Sequence, residues 1–112
     1  MSFNTFLEVI FKHQPKGIIK LKVANWILKD LRENGKLTFT EIMEKLKDHG
    51  EFSPKLIRKV LRVLRDLKIL RLTIKQEKNT YAYEISKSFL DFLRDVDRDF
   101  YKKFFTNHEE RE

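Results

Sequence analysis

The chain has 112 residues, of which 41% are hydrophobic and 37% charged, a balance typical of one globular domain rather than a disordered segment. It contains no cysteine, which excludes disulfides, thiolate metal sites and a cysteine nucleophile. The net charge of +7 favours polyanionic partners, DNA above all but also RNA or anionic lipid.

Nothing in the sequence predicts a membrane span or a metal site. The apolar runs are far shorter than the roughly 20 residues that cross a bilayer. The first residues lack the basic start and the small-residue cleavage site of a signal peptide, so we expect a cytoplasmic, intracellular protein. His13, His49 and His108 are too far apart for ligand-like spacing, and we expect neither a metal nor another cofactor.

Two helices are predicted at the start of the chain. The first covers residues 3–13, and its apolar side chains share one face. They are Phe3, Phe6, Leu7, Ile10 and Phe11. After Pro15 and Gly17, a second helix is predicted from Ile18 to Asn34. Because it is apolar around most of its circumference, we expect it to be buried on more than one side.

Two shorter helices follow a brief extended piece at 36–37. Thr38-Phe39-Thr40-Glu41 has the spacing of a capping box, which predicts a helix that ends near Gly50. Ser53-Pro54 combines a good cap with proline at the first helical position, and predicts a helix over 54–68.

The rest of the chain predicts a hairpin and one more helix. Leu70, Leu72 and Ile74 alternate with polar residues, as Tyr81, Tyr83 and Ile85 do, and 76–80 between them are polar. This pattern predicts a two-stranded hairpin over 69–85. Either Ser86 or Ser88 then caps a last helix that reaches about Phe105.

The predicted fold class is mainly α with a small β-hairpin (α+β). The order helix, short strand, helix, tight turn, helix and hairpin resembles the winged helix-turn-helix domain over about 18–86. The residues that carry the resemblance are Thr38, Glu41, Gly50, Ser53, Pro54, Leu61, Leu64, Leu67, Ile69 and Leu70. The flanking helices, over 1–17 and 86–107, are similar in architecture to those of small dimeric repressors of the MarR-like and archaeal Lrs14-like groups. The resemblance implies one domain over 1–112 that binds DNA and dimerises through its flanking helices.

The helix over 54–68 favours DNA binding independently of the resemblance. Its segment, 51–68, holds six basic and two acidic side chains. At 100° per residue, five of the cations fall within an arc of about 120°. They are Lys55, Arg58, Lys59, Arg62 and Arg65. An ordinary solvated face would explain a charge stripe too, but such a face normally mixes signs.

In winged helices this helix lies in the major groove and the hairpin, or wing, lies beside it. Arginine there pairs with guanine, whereas lysine mostly meets phosphate. Lys75, Lys78 and Asn79 at the hairpin tip are therefore further predicted DNA contacts. The alternative for the tip is a plain polar turn, with Asn79 present because asparagine tolerates positive φ.

Aromatic stripes on the two terminal helices predict a homodimer interface, because large exposed apolar patches usually mark interaction sites. The residues are Phe3, Phe6, Ile10, Phe89, Leu93, Val96, Phe100 and Phe104. The alternative is that they pack against the core of their own chain. Asp91, Asp95, Asp97 and Asp99 each have an adjacent cation, so they do not predict a metal cluster.

We therefore expect a sequence-specific double-stranded DNA-binding protein that regulates transcription as a homodimer. The alternative is a winged-helix module for protein contacts or complex assembly, which would not read DNA and would not require a cationic helix. The sequence has no nucleophile–base pair, P-loop or dinucleotide fingerprint, so we do not expect an enzyme. It indicates no particular small-molecule effector.

Overall fold

The computed structural model describes residues 3–96 and 98, apart from the side chains of Phe3, Asn4 and Val96. Within this part of the chain lie five helices and one antiparallel hairpin, which confirms the α+β class. The helices are α1 (Phe3–Lys12), α2 (Gly17–Asn34), α3 (Phe39–Leu46), α4 (Pro54–Asp66) and α5 (Lys87–Val96). The strands are β1 (Leu70–Lys75) and β2 (Thr80–Ile85), joined by a short 3₁₀ turn (Gln76–Lys78).

The two predicted helix starts are confirmed in atomic detail. At α3 the Thr38 hydroxyl accepts a hydrogen bond from the Glu41 N–H at 3.2 Å, and Glu41 Oε1 accepts one from the Thr38 N–H at 2.9 Å. At α4 the Ser53 hydroxyl accepts from the Leu56 N–H at 3.1 Å, with Pro54 in the first turn. Each cap satisfies an N–H that a helix leaves without an intrahelical partner.

One apolar core forms where α2, α3 and α4 meet, with α1 and α5 packed onto it. Burial of α2 differs from the prediction in its first turn, where Ile18 is 76% and Ile19 41% exposed. Periodicity locates the apolar positions of a helix but does not say which neighbours cover them. Lys20 is buried instead, and its ammonium donates to the side-chain oxygen of Gln14 at 3.0 Å.

The hairpin is attached to the segment between α2 and α3. β1 and β2 pair from Leu70↔Ile85 to Lys75↔Thr80. Leu37 adds a single bridge to β2: its N–H donates to the Tyr83 carbonyl at 3.1 Å and its carbonyl accepts from the Tyr83 N–H at 2.8 Å. The hairpin is thereby fixed against the residue that precedes the α3 cap.

Ser86 connects three elements at the other end of the hairpin. Its hydroxyl donates to the Lys68 carbonyl, just after α4, and accepts from the Phe89 N–H in α5 at 3.2 Å. Its own N–H donates to the Ile69 carbonyl at 2.9 Å. Ser86 is therefore the α5 cap, rather than Ser88. Helix α4 ends at Asp66, short of the predicted 68, and Lys68 has a left-handed φ of 65°.

The predicted end of the last helix near Phe105 lies outside the described residues. Within α5, Phe89 is only 6% and Leu93 only 1% exposed, and both belong to the core. Their assignment to a dimer interface is therefore corrected: they pack against their own chain. The sequence shows that this face of α5 is apolar, but not which surface covers it.

The core position of α4 gives a stability prediction. Leu64 is fully buried, whereas Leu67, three residues later, is 38% exposed. Leu64→Ala should lower the free energy of unfolding by about 2–5 kcal/mol, because the cavity cannot fully collapse. Leu67→Ala should lower it by only about 1 kcal/mol, since less apolar surface is lost. Urea denaturation measures both, and equal losses would contradict this orientation of α4.

Candidate nucleic-acid interface

The five predicted cations of α4 lie together on an exposed helix face. Lys55, Arg58, Lys59, Arg62 and Arg65 are all exposed. The opposite face is buried in the core through Ile57, Val60, Leu61 and Leu64. Within residues 3–96 and 98, none of the five cations forms an ion pair with a carboxylate. We call this set the α4 cation face. Its charge is available to an external anion.

One arginine of the α4 cation face has an aromatic support. The Arg58 guanidinium carbon lies 4.6 Å from the ring centroid of Phe39, at the start of α3. A cation over an aromatic face at an exposed site gains about 0.5–1 kcal/mol. The contact restricts Arg58 to one side of α4 while its donors stay exposed to an acceptor.

The hairpin cations are paired with Glu41, in the first turn of α3. The Lys75 ammonium lies 2.9 Å from Glu41 Oε1 and 3.1 Å from Oε2, and the Lys78 ammonium lies 3.4 Å from Oε2. The Lys75 side chain is only 19% exposed, and that of Lys78 is 55% exposed. Lys75 therefore positions the hairpin, and its DNA contact stays a prediction, while Lys78 is more accessible.

Glu41 is strongly stabilised as a carboxylate. The backbone N–H of Thr38, followed by the ammonium of Lys75, lowers the pKa of Glu41 from 4.5 to about 2. Hydrogen bonds to the charged form and nearby opposite charge both favour ionisation. The same side chain thus closes the α3 capping box and binds the hairpin across a sequence separation of 34 residues.

Asn79 lies at the exposed tip of the hairpin in the left-handed region, with φ 48° and ψ 45°. Its N–H donates to the Gln76 carbonyl at 3.2 Å, which closes the turn. The turn geometry alone therefore accounts for asparagine here, as the alternative interpretation allowed. A DNA contact by its side chain stays a prediction.

Among the described residues of the predicted dimer surface, Phe89 and Leu93 are buried in the core, and Phe6 and Ile10 remain partly accessible. Phe6 and Ile10 are half-buried against the core, while Phe92, beside the predicted stripe, is 52% exposed. Phe6, Leu67 and Phe92 line a shallow cleft of about 220 Å³ between α1, the end of α4 and α5. The remaining predicted positions lie outside the described part of the chain: Phe100, Phe104 and the side chains of Phe3 and Val96. The homodimer stays a prediction.

Neither a metal centre nor a membrane span finds support in the described residues. No group of three or more histidine, cysteine, aspartate or glutamate side chains in the described part of the chain is placed to hold a metal ion. Asp97 and Asp99 lie outside that part. No described helix combines the length and the apolar character that crossing a bilayer requires.

Comparison with family models, with curated proteins and with solved structures found no significant match to this chain. Any function assigned to the chain therefore depends on the geometry and charge of its own residues. Two of those residues, Phe39 and Glu41, were absent from the sequence-predicted site. Glu41 was visible as part of a capping box, but no local signal indicated its contact with Lys75.

Glu41 gives a prediction with a defined pH dependence. Glu41→Gln keeps an oxygen that can accept the Thr38 N–H but removes the charge that binds Lys75 and Lys78. It should lower the free energy of unfolding at pH 7 by about 1–2 kcal/mol. Because the folded-state pKa lies below the unfolded one, this difference should be full above about pH 5 and vanish as the pH falls toward 2.

Thermal or urea unfolding of both proteins between pH 7 and pH 2 measures this difference. Glu44→Gln is the matched control, because Glu44 is an exposed glutamate on the same helix with no ion pair to a described residue. An equal loss in the control, or a Glu41→Gln loss that does not change with pH, would show that the ion pair does not stabilise the fold.

Proposed function

We propose that this protein binds double-stranded DNA with sequence preference and regulates transcription, with α4 in the major groove. The observation that carries the proposal is the α4 cation face: five exposed cations without a carboxylate partner among the described residues. Neutralising phosphates releases condensed counterions, which supplies much of the affinity of proteins for duplex DNA. A major groove about 12 Å wide admits a single α-helix.

The order and joining of the elements support a winged helix-turn-helix arrangement. Helices α2, α3 and α4 share one core, and the hairpin follows α4 directly. The bridge between Leu37 and Tyr83 supplies a short strand between α2 and α3, at the place the resemblance predicts. In such domains the second helix of the helix-turn-helix, here α4, reads the major groove.

The cations divide into two kinds of proposed contact. Arg58, Arg62 and Arg65 have forked donors that can pair with guanine, whereas Lys55 and Lys59 fit phosphate better. Phe39 restricts Arg58 before DNA arrives, which reduces the entropy that binding must overcome. Lys78 is the hairpin cation proposed to meet the DNA backbone, since Lys75 is largely covered.

The alternative function is a winged helix for protein contacts, which does not require cations on α4 and so does not account for the α4 cation face. No described observation favours it over DNA binding. The predicted homodimer remains part of the proposal. The apolar cleft lined by Phe6, Leu67 and Phe92 is the surface proposed for the contact between the two copies. Sedimentation equilibrium distinguishes a dimer from a monomer without reference to DNA.

Salt dependence tests the proposal and assigns the contact to α4. Each neutralised phosphate contributes about −0.9 to the slope of log affinity against log salt, so the five cations predict a slope of about −3 to −5. Lys59→Ala, which removes one of the proposed phosphate contacts, should reduce the magnitude of the slope by about one. A labelled duplex titrated at several salt concentrations measures both slopes.

Lys12→Ala is the matched control, because it removes one exposed cation from α1 and leaves α4 unchanged. Its slope should equal that of the unmodified protein. The proposal fails if the duplex does not bind at low salt, if affinity is independent of salt, or if the two variants change the slope equally.

A further inference from the structure

A second cationic surface lies beside the start of α4, in an open groove between α2 and the turn that joins α3 to α4. The groove has a volume of about 890 Å³, within the range typical of small-molecule sites. Its apolar lining is formed by Ile19, Trp26, Phe52 and Leu56. Leu56 lies about 120° around α4 from the centre of the α4 cation face and about 60° from Lys59 at its edge, so the groove opens beside that face and in a different direction.

The floor of the groove is held in place by an aromatic stack. The rings of Trp26 in α2 and His49 in the turn lie 3.7 Å apart between centroids, with an interplanar angle of 5°. Gly50 follows with a φ of 150°, and a Cβ there would meet the Phe52 ring at 3.3 Å. The stack joins the turn to α2, so the apolar floor exists before a ligand enters and binding needs little reordering.

The rim of the groove is cationic. Lys16, Lys22 and Lys29 line it, and Glu51 is the carboxylate among its described lining residues. Lys16 and Lys22 form no ion pair with any described carboxylate, and the Lys29 ammonium lies 5.6 Å from the Trp26 ring centroid. Asp30, next to Lys29 in the sequence, is buried, and that burial raises the pKa of its carboxyl. The groove therefore combines an apolar floor with net positive charge.

We propose that this groove binds a small amphipathic anion: a compact aromatic or aliphatic body that covers Trp26, Phe52 and Leu56, with a carboxylate, sulfonate or phosphate on the lysine rim. Charge complementarity selects an anion, and the volume fits a molecule of drug size. A DNA backbone would leave the apolar floor wet, since phosphates offer no apolar surface to it. The inference stands whether or not α4 binds DNA.

A pair of probes that differ in one charge tests the site. The anion is 1-anilinonaphthalene-8-sulfonate, and its neutral counterpart is N-phenyl-1-naphthylamine, which has the same rings without the sulfonate. The sulfonate should bind one per chain and shift backbone amide resonances of residues 16–29 and 49–56. The fluorescence of Trp26, the single tryptophan, should change in the same titration. The neutral probe should bind more weakly.

Charge variants assign the contact to the rim. Lys22→Gln and Lys29→Gln should each weaken sulfonate binding by about threefold to tenfold, whereas Lys12→Gln on α1 should leave it unchanged. All three positions are exposed, so the variants should keep the fold, which circular dichroism checks.

The inference would be overturned by amide shifts outside the groove, by equal binding of the two probes, or by equal weakening of sulfonate binding in the three variants. A groove that responds to an acidic peptide or to duplex DNA but not to the sulfonate would overturn it as well.

Discussion

The carboxylate of Glu41 is the contact on which the geometry of the proposed DNA interface depends. It lies in a five-residue segment, residues 37–41, that contacts the hairpin and one arginine of the α4 cation face. Leu37 pairs with the hairpin, Thr38 and Glu41 cap α3, and Phe39 supports Arg58. Glu41 then holds Lys75 at 2.9 Å, which fixes the hairpin relative to α3. Opposite charges attract each other more strongly when they are partly shielded from water. This half-buried ion pair is therefore a stronger constraint than a fully exposed one.

This arrangement concentrates the available positive charge on α4. The two hairpin lysines share one carboxylate, so the hairpin contributes less free charge than its sequence suggests. The α4 cations have no such partner among the described residues, and the buried aliphatic side chains on the other face of α4 fix the direction in which they point. Rigidity on one side of α4 and open charge on the other are what a pre-organised reading helix requires.

The features that the sequence predicted correctly are those that nearby residues determine. The Thr38–Glu41 box, the Ser53-Pro54 start and the alternation of the hairpin each follow from a few adjacent positions, and each was confirmed. The exposed α4 cation face followed from helical periodicity for the same reason.

The features that it missed depend on distant contacts. Glu41 and Lys75 are 34 residues apart, and the Trp26–His49 stack joins two different elements. The apolar face of α5 was recognised, but a single sequence did not reveal that Phe89 and Leu93 meet their own core. The measurement that tests the central claim most directly is selection from a random duplex pool at physiological salt, with the unmodified protein and with Arg58→Ala/Arg62→Ala. The unmodified protein should enrich one consensus, and the variant should lose preference at the base pairs these arginines contact, at about 1–3 kcal/mol each. An unenriched pool, or an unchanged consensus in the variant, would contradict the assignment of α4 as the reading helix.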